Sequence, residues 1–428
     1  MTLGDTQKAI ALYSRASVLD PTFAPSYSGS GMALLQLADL RRGWEAVCAE
    51  VGPAFDRALQ LDPELGEAWI GRATCTQDRV LAEELFHAGL RLAPDNANGY
   101  ARFARFLFFG RRRAEAIELL DRALQHLPRS PELLQLKAFY VMVVRNDLAE
   151  HNRLLRQALA INAHFYPALY QLAEYTYFFS GEFAESIRLI EQALAADPQS
   201  DEVRSLAALM YLDVDDPAAA SRVLADASRA FEGRVALAQY QGDARQAGQI
   251  ALQCVNEWWR WTHHSLSPLA DAVRDQAIAS GEYAAALQVL EGVNSSWAWP
   301  PMTYRGFTPT YAHLLTLAGQ RQQGRAVATG LLDLTDAEET GRIPHWFARE
   351  RAQAFAALGD YERSIQELGE SQKVNHWLRW WYLADRDPLY EKVRADPRFK
   401  ELADTASRHR REQRARLDEM RRRGEVPS

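Results

Sequence analysis

Small and large apolar residues recur along the chain at spacings of three and four, which is the period of an amphipathic helix. Each set has a small residue, a larger apolar residue four positions later, and a second small residue three positions after that. The stripe recurs at Ala9, Tyr13 and Ala16, at Ala82, Phe86 and Gly89, at Ala116, Leu120 and Ala123, and at Ser186, Ile190 and Ala193. Small side chains on one stripe let a neighbouring helix approach closely, so the pattern predicts helices packed in pairs.

Short helix-ending sequences follow these stripes at a nearly constant interval. They end at Pro21, Pro63, Pro94, Pro128, Ala163 and Pro198, with successive spacings of 42, 31, 34, 35 and 35 residues. Proline stops a helix because it lacks the amide donor and restricts the residue before it. Glycines at positions 110, 181, 281 and 359 mark turns that need a positive φ.

The first helix of each pair shows a matching stripe, in which Trp69, Tyr100 and Leu134 are each followed four residues later by alanine. The repeat resembles the tetratricopeptide repeat family, clearly over about residues 1–230 and in degenerate form to about 370. The resemblance implies an all-α fold, a right-handed superhelix (α-solenoid) of about ten helix-turn-helix units whose second half is degenerate.

The period blurs beyond Val223, which suggests three parts: a repeat array over 1–253, a degenerate helical array over 254–400 and a charged segment over 401–428. The last part has eight arginines against six acids, as expected of a solvated helix. The aromatic stretch around Trp380 and Phe399 is similar to the ends of repeat arrays in bacterial winged-helix regulators and adenylate cyclases, which implies a sensory or regulatory scaffold.

Composition restricts the classes of partner. The 428 residues carry a formal net charge of -7, so nucleic acid is not expected as a partner, and no apolar run is long enough for a membrane span. We expect a cytoplasmic protein. Cys48, Cys75 and Cys254 are too scattered for a disulfide framework or a metal site, and we expect three buried apolar residues.

First helices line the concave surface of such arrays, so the register predicts an aromatic groove with a few polar anchors. The groove residues are Arg105, Phe108, Phe109, Phe139, Met142, Tyr170, Glu174, Tyr177 and Phe178. Taken singly, each aromatic side chain could simply pack one repeat on the next. Taken together, they favour a surface that holds an apolar helix or an extended peptide.

Nine of the eleven tryptophans fall between Trp258 and Trp381. Bulky residues filling an irregular repeat region account for most of them, while Trp259, Trp261, Trp297 and Trp299 form a second-choice ligand pocket. Adjacent histidines at 263 and 264 point in different directions and do not have metal-ligand spacing. No metal and no cofactor are therefore predicted.

Phosphate-binding loops, dinucleotide fingerprints, nucleophile elbows and zinc-protease helices are absent from the sequence, so we do not expect an enzyme. The leading hypothesis is a protein-binding scaffold of a bacterial signalling or regulatory system, with a small-molecule sensor using the tryptophan-rich half as the alternative. The array starts on the second helix of a repeat, near Asp5, and this leaves an apolar edge. We expect a partner, a second copy or upstream sequence to cover that edge.

Overall fold

The computed structural model describes residues 3–37, 44–257, 267–295, 307–339 and 347–427, and every regular element within them is a helix. The all-α expectation is confirmed. Two compact units are present, residues 1–168 (unit 1) and 169–428 (unit 2), and this division does not coincide with the predicted boundaries at 253 and 400. No helix in the described part of the chain is long and apolar enough to cross a bilayer.

Unit 1 consists of helices that alternate between the first and second member of a helical pair. They are α1 Leu3–Leu19, α2 Ala24–Leu37, α3 Trp44–Leu61, α4 Gly66–Cys75, α5 Arg79–Leu92, α6 Ala97–Phe109, α7 Arg113–His126, α8 Pro131–Arg145 and α9 Leu148–Ile161. Helices α2, α4, α6 and α8 are first helices, and each packs on the next first helix of this series.

Unit 2 repeats this alternation and then departs from it near residue 374. Its helices are α10 Tyr166–Phe179 (which contains the unit boundary), α11 Phe183–Ala196, α12 Asp201–Asp213, α13 Pro217–Leu224, α14 Phe231–Gln241, α15 Ala244–Glu257, α16 Ser267–Ser280, α17 Tyr283–Ser295, α18 Thr308–Leu317, α19 Arg321–Glu339, α20 Ala348–Leu358, α21 Tyr361–Lys373, α22 Trp380–Asp385 and α23 Pro397–Arg422. A 3-10 turn, Pro388–Tyr390, separates the last two.

Helix ends follow the predicted signals closely. The six helices before the predicted endings stop two residues ahead of Pro21, Pro63, Pro94, Pro128, Ala163 and Pro198. The following helix often begins with a capping side chain: Asn96 accepts a hydrogen bond from the Gly99 amide, and Ser130 accepts one from the Leu133 amide. These caps satisfy amide donors that have no partner inside the helix.

The small residues of three of the four predicted stripes are buried where second helices meet their neighbours, whereas Ala9 and Ala16 of the first stripe are half-buried. Ala82, Ala116 and Ser186 are fully buried, as are the larger residues at the middle position of the same stripes. At Gly89, an added Cβ would lie 2.8 Å from the Gly66 carbonyl oxygen, so glycine there permits backbone contact between α5 and α4.

Three of the four predicted glycine turns have positive φ, and one prediction is wrong. Gly181, Gly281 and Gly359 have φ values of 67°, 79° and 79°. Gly110 has a φ of -76°, and the following Arg111 takes the left-handed conformation with a φ of 65°. The Gly110 amide instead donates one more helical hydrogen bond, to the Phe106 carbonyl. The chain therefore turns one residue later, at Arg111.

The prediction for two of the three cysteines is also wrong. Cys48 in α3 and Cys75 in α4 form a disulfide between adjacent helices, with their Cα atoms 5.2 Å apart. Cys254 is buried, as predicted, and lies outside this disulfide. Because disulfides are rare in cytosolic proteins, the cytoplasmic location stays a prediction.

Candidate functional site

The predicted groove residues of unit 1 lie on the first helices α6 and α8, with unequal exposure. Phe109, the last residue of α6, is 54% exposed, and Arg105 is also exposed. Phe139 is half-buried, and its ring centroid lies 6.3 Å from that of Phe108. An aromatic surface with one exposed ring therefore lines this part of unit 1.

Two arginines, Arg102 and Arg105, lie one helical turn apart on α6. Burial, followed by the charge of Arg105, lowers the pKa of Arg102 to about 10, whereas Glu67 acts in the opposite direction. Arg105 forms no hydrogen bond or ion pair with the described residues of the chain, and the Arg102 Nε has no acceptor among them. Two neighbouring guanidinium groups with unused donors favour an anionic group at this position.

Three of the predicted groove residues, Phe108, Met142 and Tyr177, are buried. Phe108 stacks on Tyr140 with ring centroids 4.0 Å apart, and Met142 is 4% exposed. Tyr177 is buried in unit 2, where its hydroxyl donates to Asp213 Oδ2 at 2.6 Å. These side chains face inward but are covered by neighbouring side chains, because large residues at this position fill the space between first helices.

The remaining predicted residues of unit 2 are on α10. Tyr170, Glu174 and Phe178 are half-buried. Burial and the neighbouring charge of Glu174 raise the pKa of Tyr170 well above its usual value, so this phenol stays protonated. Phe178 lies edge-on to Tyr177, with ring centroids 5.3 Å apart.

The inner face of unit 2 is covered by residues 374–393, here called the covering segment, which contain α22 and the 3-10 turn. Asp213, at the end of α12, anchors it. The Arg379 amide donates to Asp213 Oδ1 at 2.9 Å, and Trp381 Nε1 donates to the same oxygen at 2.8 Å. Asp213 is only 3% exposed, so these bonds compensate a carboxylate that has been removed from water.

A buried cluster of arginines and aspartates continues from this anchor. Arg379 Nη1 donates to Asp271 Oδ2 at 3.1 Å. The guanidinium of Arg274 has no exposed surface, and its Nη2 lies 2.9 Å from Asp275 Oδ1 and 3.1 Å from Asp387 Oδ1. Each buried charge thus has an opposite charge at contact distance, which such a site requires.

Titration of this cluster follows from burial and pairing. Burial raises the pKa of Asp387 to about 6, against the lowering effect of Arg274. Burial also raises the pKa of Asp213, and the bond from Tyr177 partly offsets this. For Arg274, burial lowers the pKa, but the charges led by Asp387 outweigh it and raise the pKa well above its usual value.

Helix α23 crosses the turns between first and second helices of unit 2. His409 Nε2 lies 2.8 Å from the Gly181 carbonyl oxygen, and the Ala184 amide donates to Gln413 Oε1 at 3.1 Å. Arg414 and Arg421 both pair with Asp216, at 3.1 and 2.7 Å. One face of this arginine-rich helix is therefore packed on the repeats.

Four residues of this cluster were not predicted from the sequence: Asp213, Asp271, Arg274 and Arg379. A weak signal is present for Asp213, which ends an otherwise apolar stretch of α12. Trp259, Trp261, Trp297, Trp299, His263 and His264 lie outside the described residues, so the second-choice pocket stays a prediction.

Comparisons with known proteins identify the repeat. Two family models described as tetratricopeptide repeat match residues 76–138 and 166–200. No curated protein matches the sequence.

Several solved structures are similar to this chain at low identity. A tetratricopeptide repeat protein from Parabacteroides merdae is 17% identical, with 60% of this chain and 99% of that chain covered and a TM-score of 0.41. Yeast Tom70 is 12% identical over 95% of this chain and 93% of its own, with a TM-score of 0.38. The type IV pilus biogenesis factor PilW is 19% identical over 54% of this chain and 95% of its own, with a TM-score of 0.33.

Proposed function

We propose that this tetratricopeptide repeat protein is an interaction scaffold that captures a helix or an extended peptide on the inner face of unit 1. The exposure of Phe109 carries the proposal. Phe109 and Asp213 are the last residues of α6 and α12, two first helices of 13 residues each. Asp213 is covered by the chain's own covering segment, whereas Phe109 is 54% exposed.

The chemistry around Phe109 specifies the kind of segment. An aromatic ring that projects from a packed layer binds an apolar side chain, and the donors of Arg102 and Arg105 bind a carboxylate. The partner segment therefore carries an acidic residue next to an apolar one. Unit 2 offers an internal parallel, since its covering segment presents aromatic rings and hydrogen-bonding groups to first helices.

The proposal is tested by affinity capture from the native host with the full chain as bait, followed by mass spectrometry. Phe109→Ser and Arg105→Glu should each reduce the captured partner by about tenfold or more, the effect of losing a central contact. Val80→Ser is the matched control, because Val80 is an apolar residue of unit 1 that is 70% exposed but lies on the second helix α5.

Equal capture by wild type, Phe109→Ser and Arg105→Glu would contradict the groove assignment. Equal loss with Val80→Ser would show that capture depends on general surface apolarity. The regulatory context is part of this proposal and is supported by the similarity of residues 377–399 to the ends of arrays in bacterial regulators. It predicts that the captured partner is a signalling or regulatory protein, and no catalytic role is included.

A second contact surface is proposed at α1. Leu12, Val18 and Leu19 are 66%, 80% and 76% exposed, which leaves an apolar edge on this helix. We expect a second copy or a partner to cover the edge. Val18→Glu should lower the apparent mass in light scattering at high protein concentration, and an unchanged monomeric mass for both proteins would count against self-association.

A further inference from the structure

A cavity of about 270 Å³ lies inside unit 2, between the repeats and the covering segment. Gln239 of α14 and Asp275 and Ile278 of α16 line one side. Tyr382, Arg386 and Pro388 of the covering segment line the other. By the scale on which a 150 Å³ cavity holds benzene, this volume accepts about ten non-hydrogen atoms.

The floor of the cavity presents a buried donor. Gln239 is 4% exposed, and its Oε1 accepts a hydrogen bond from Arg379 Nη2 at 2.7 Å. That bond fixes the orientation of the amide, because the reversed amide would place its NH2 group against the guanidinium donors. The Gln239 Nε2 has no acceptor among the described residues. A buried donor of this kind favours an acceptor other than the described residues of the chain.

An acceptor position remains on the same wall. Asp275 Oδ1 accepts two hydrogen bonds from Arg274, at 3.1 and 2.9 Å, and Asp275 Oδ2 accepts one from the Tyr382 hydroxyl at 2.6 Å. A carboxylate has about four acceptor positions, so one position on Oδ2 remains for a donor.

The rim adds a positive charge. Arg386 is exposed, and its Nη2 donates to the Tyr240 carbonyl oxygen at 3.1 Å. This bond holds the guanidinium over Gly242, where an added Cβ would lie 3.0 Å from Arg386 Nη1. The other donors of the guanidinium fork are available to a carboxylate.

We infer that this cavity binds a free amino acid. Its carboxylate accepts from Gln239 Nε2 and Arg386, its ammonium donates to Asp275 Oδ2, and its side chain packs on Ile278 and Pro388. Ile278 is 37% exposed, so the apolar part of the ligand covers surface that otherwise faces water. Since the covering segment forms one wall, binding also holds this segment on the repeats.

Isothermal titration of the full chain with each standard amino acid tests the inference. At least one with a compact apolar side chain should give saturable binding. If L-leucine is the strongest, isocaproate, which lacks the ammonium, and isoamylamine, which lacks the carboxylate, should each bind at least about tenfold more weakly, since each loses a charge-assisted bond. For another amino acid, the analogues with the same side chain replace them.

Three variants locate the site. Gln239→Glu keeps an oxygen for Arg379 and replaces the free donor by an acceptor, Arg386→Ala removes the rim charge, and Ile278→Trp fills the space. Each should weaken binding by about tenfold or more, whereas Arg408→Ala on the exposed side of α23 should not change it. Thermal melting of each variant confirms that unit 2 is folded.

Absence of saturable binding by every standard amino acid overturns the inference. So does unchanged affinity in folded Gln239→Glu, or isocaproate binding as tightly as leucine. These outcomes concern only unit 2 and leave the capture experiment on unit 1 unaffected.

Discussion

The inner faces of the two units are built from first helices in the same register, yet they carry different chemistry. In unit 1 the end of α6 presents Phe109 to solvent, whereas in unit 2 the end of α12 presents Asp213 to the covering segment. An exposed ring is available to another molecule. A carboxylate at the same position accepts hydrogen bonds from the chain's own covering segment, so in unit 2 the chain itself covers this position.

The two units also differ in what reinforces them. Unit 1 has an apolar core together with a covalent bond between α3 and α4. Unit 2 depends on the buried arginines and aspartates that join α12 and α16 to the covering segment. Removing the disulfide should therefore destabilise mainly unit 1, and removing a buried charge should destabilise mainly unit 2.

The largest effect is expected for Arg274→Leu. The substitution leaves Asp271, Asp275 and Asp387 without their shared cation and should lower the unfolding free energy of unit 2 by about 3 to 5 kcal/mol. Hydrogen exchange of the full chain, followed by peptide, should show faster exchange in α12, α14 and α16. Faster exchange confined to unit 1 would refute this division, and Arg408→Leu is the surface control.

A slightly smaller effect is expected for Cys48→Ser. The disulfide closes a loop across a sequence separation of 27, so its loss should lower the unfolding free energy of unit 1 by about 3 to 4 kcal/mol. Thermal unfolding with and without reductant measures this. Reductant should destabilise the wild-type protein and leave Cys48→Ser unchanged; a reductant effect of equal size in both proteins would disprove the assignment.

The smallest effect concerns acid. Burial lowers the pKa of His151 in unit 1 to about 4, so between pH 6.5 and 4 the unfolded chain binds a proton that the folded chain does not. The unfolding free energy of unit 1 should fall as pH drops through this window, by up to about 3 kcal/mol. His151→Gln should remove most of that dependence in urea titrations at several pH values.

Unit 2 contains buried groups whose pKa shifts act in opposite directions over the same pH window. Burial lowers the pKa of His313 to about 3 and that of His376 to about 4, which acts in the same direction as His151. Asp387 acts oppositely, because burial raises its pKa to about 6 in the folded chain. Below that pH the folded chain holds a proton that the unfolded chain has lost, so the contribution of Asp387 to the unfolding free energy falls as pH rises.

Local features were predictable from the sequence, and features that need distant residues were not. Repeat endings such as Pro94 and Pro128 act on the residues just before them, so the helix ends were predicted correctly. The position of Phe108 was also predicted, but its burial depends on Tyr140 of the next first helix. The disulfide needs two helices to meet, and cysteines 27 residues apart give no signal of that.

The two units can also form at different times during synthesis, because their contacts join residues at different distances along the sequence. The helices of unit 1 meet neighbours that are close in sequence, so they can pair as they leave the ribosome. Asp213 must wait for Arg379, 166 residues later, which at ribosomal speeds takes roughly 10 to 30 s. During that time the carboxylates along the inner face of unit 2 stay hydrated. Their hydration keeps this face soluble until the covering segment has been synthesised.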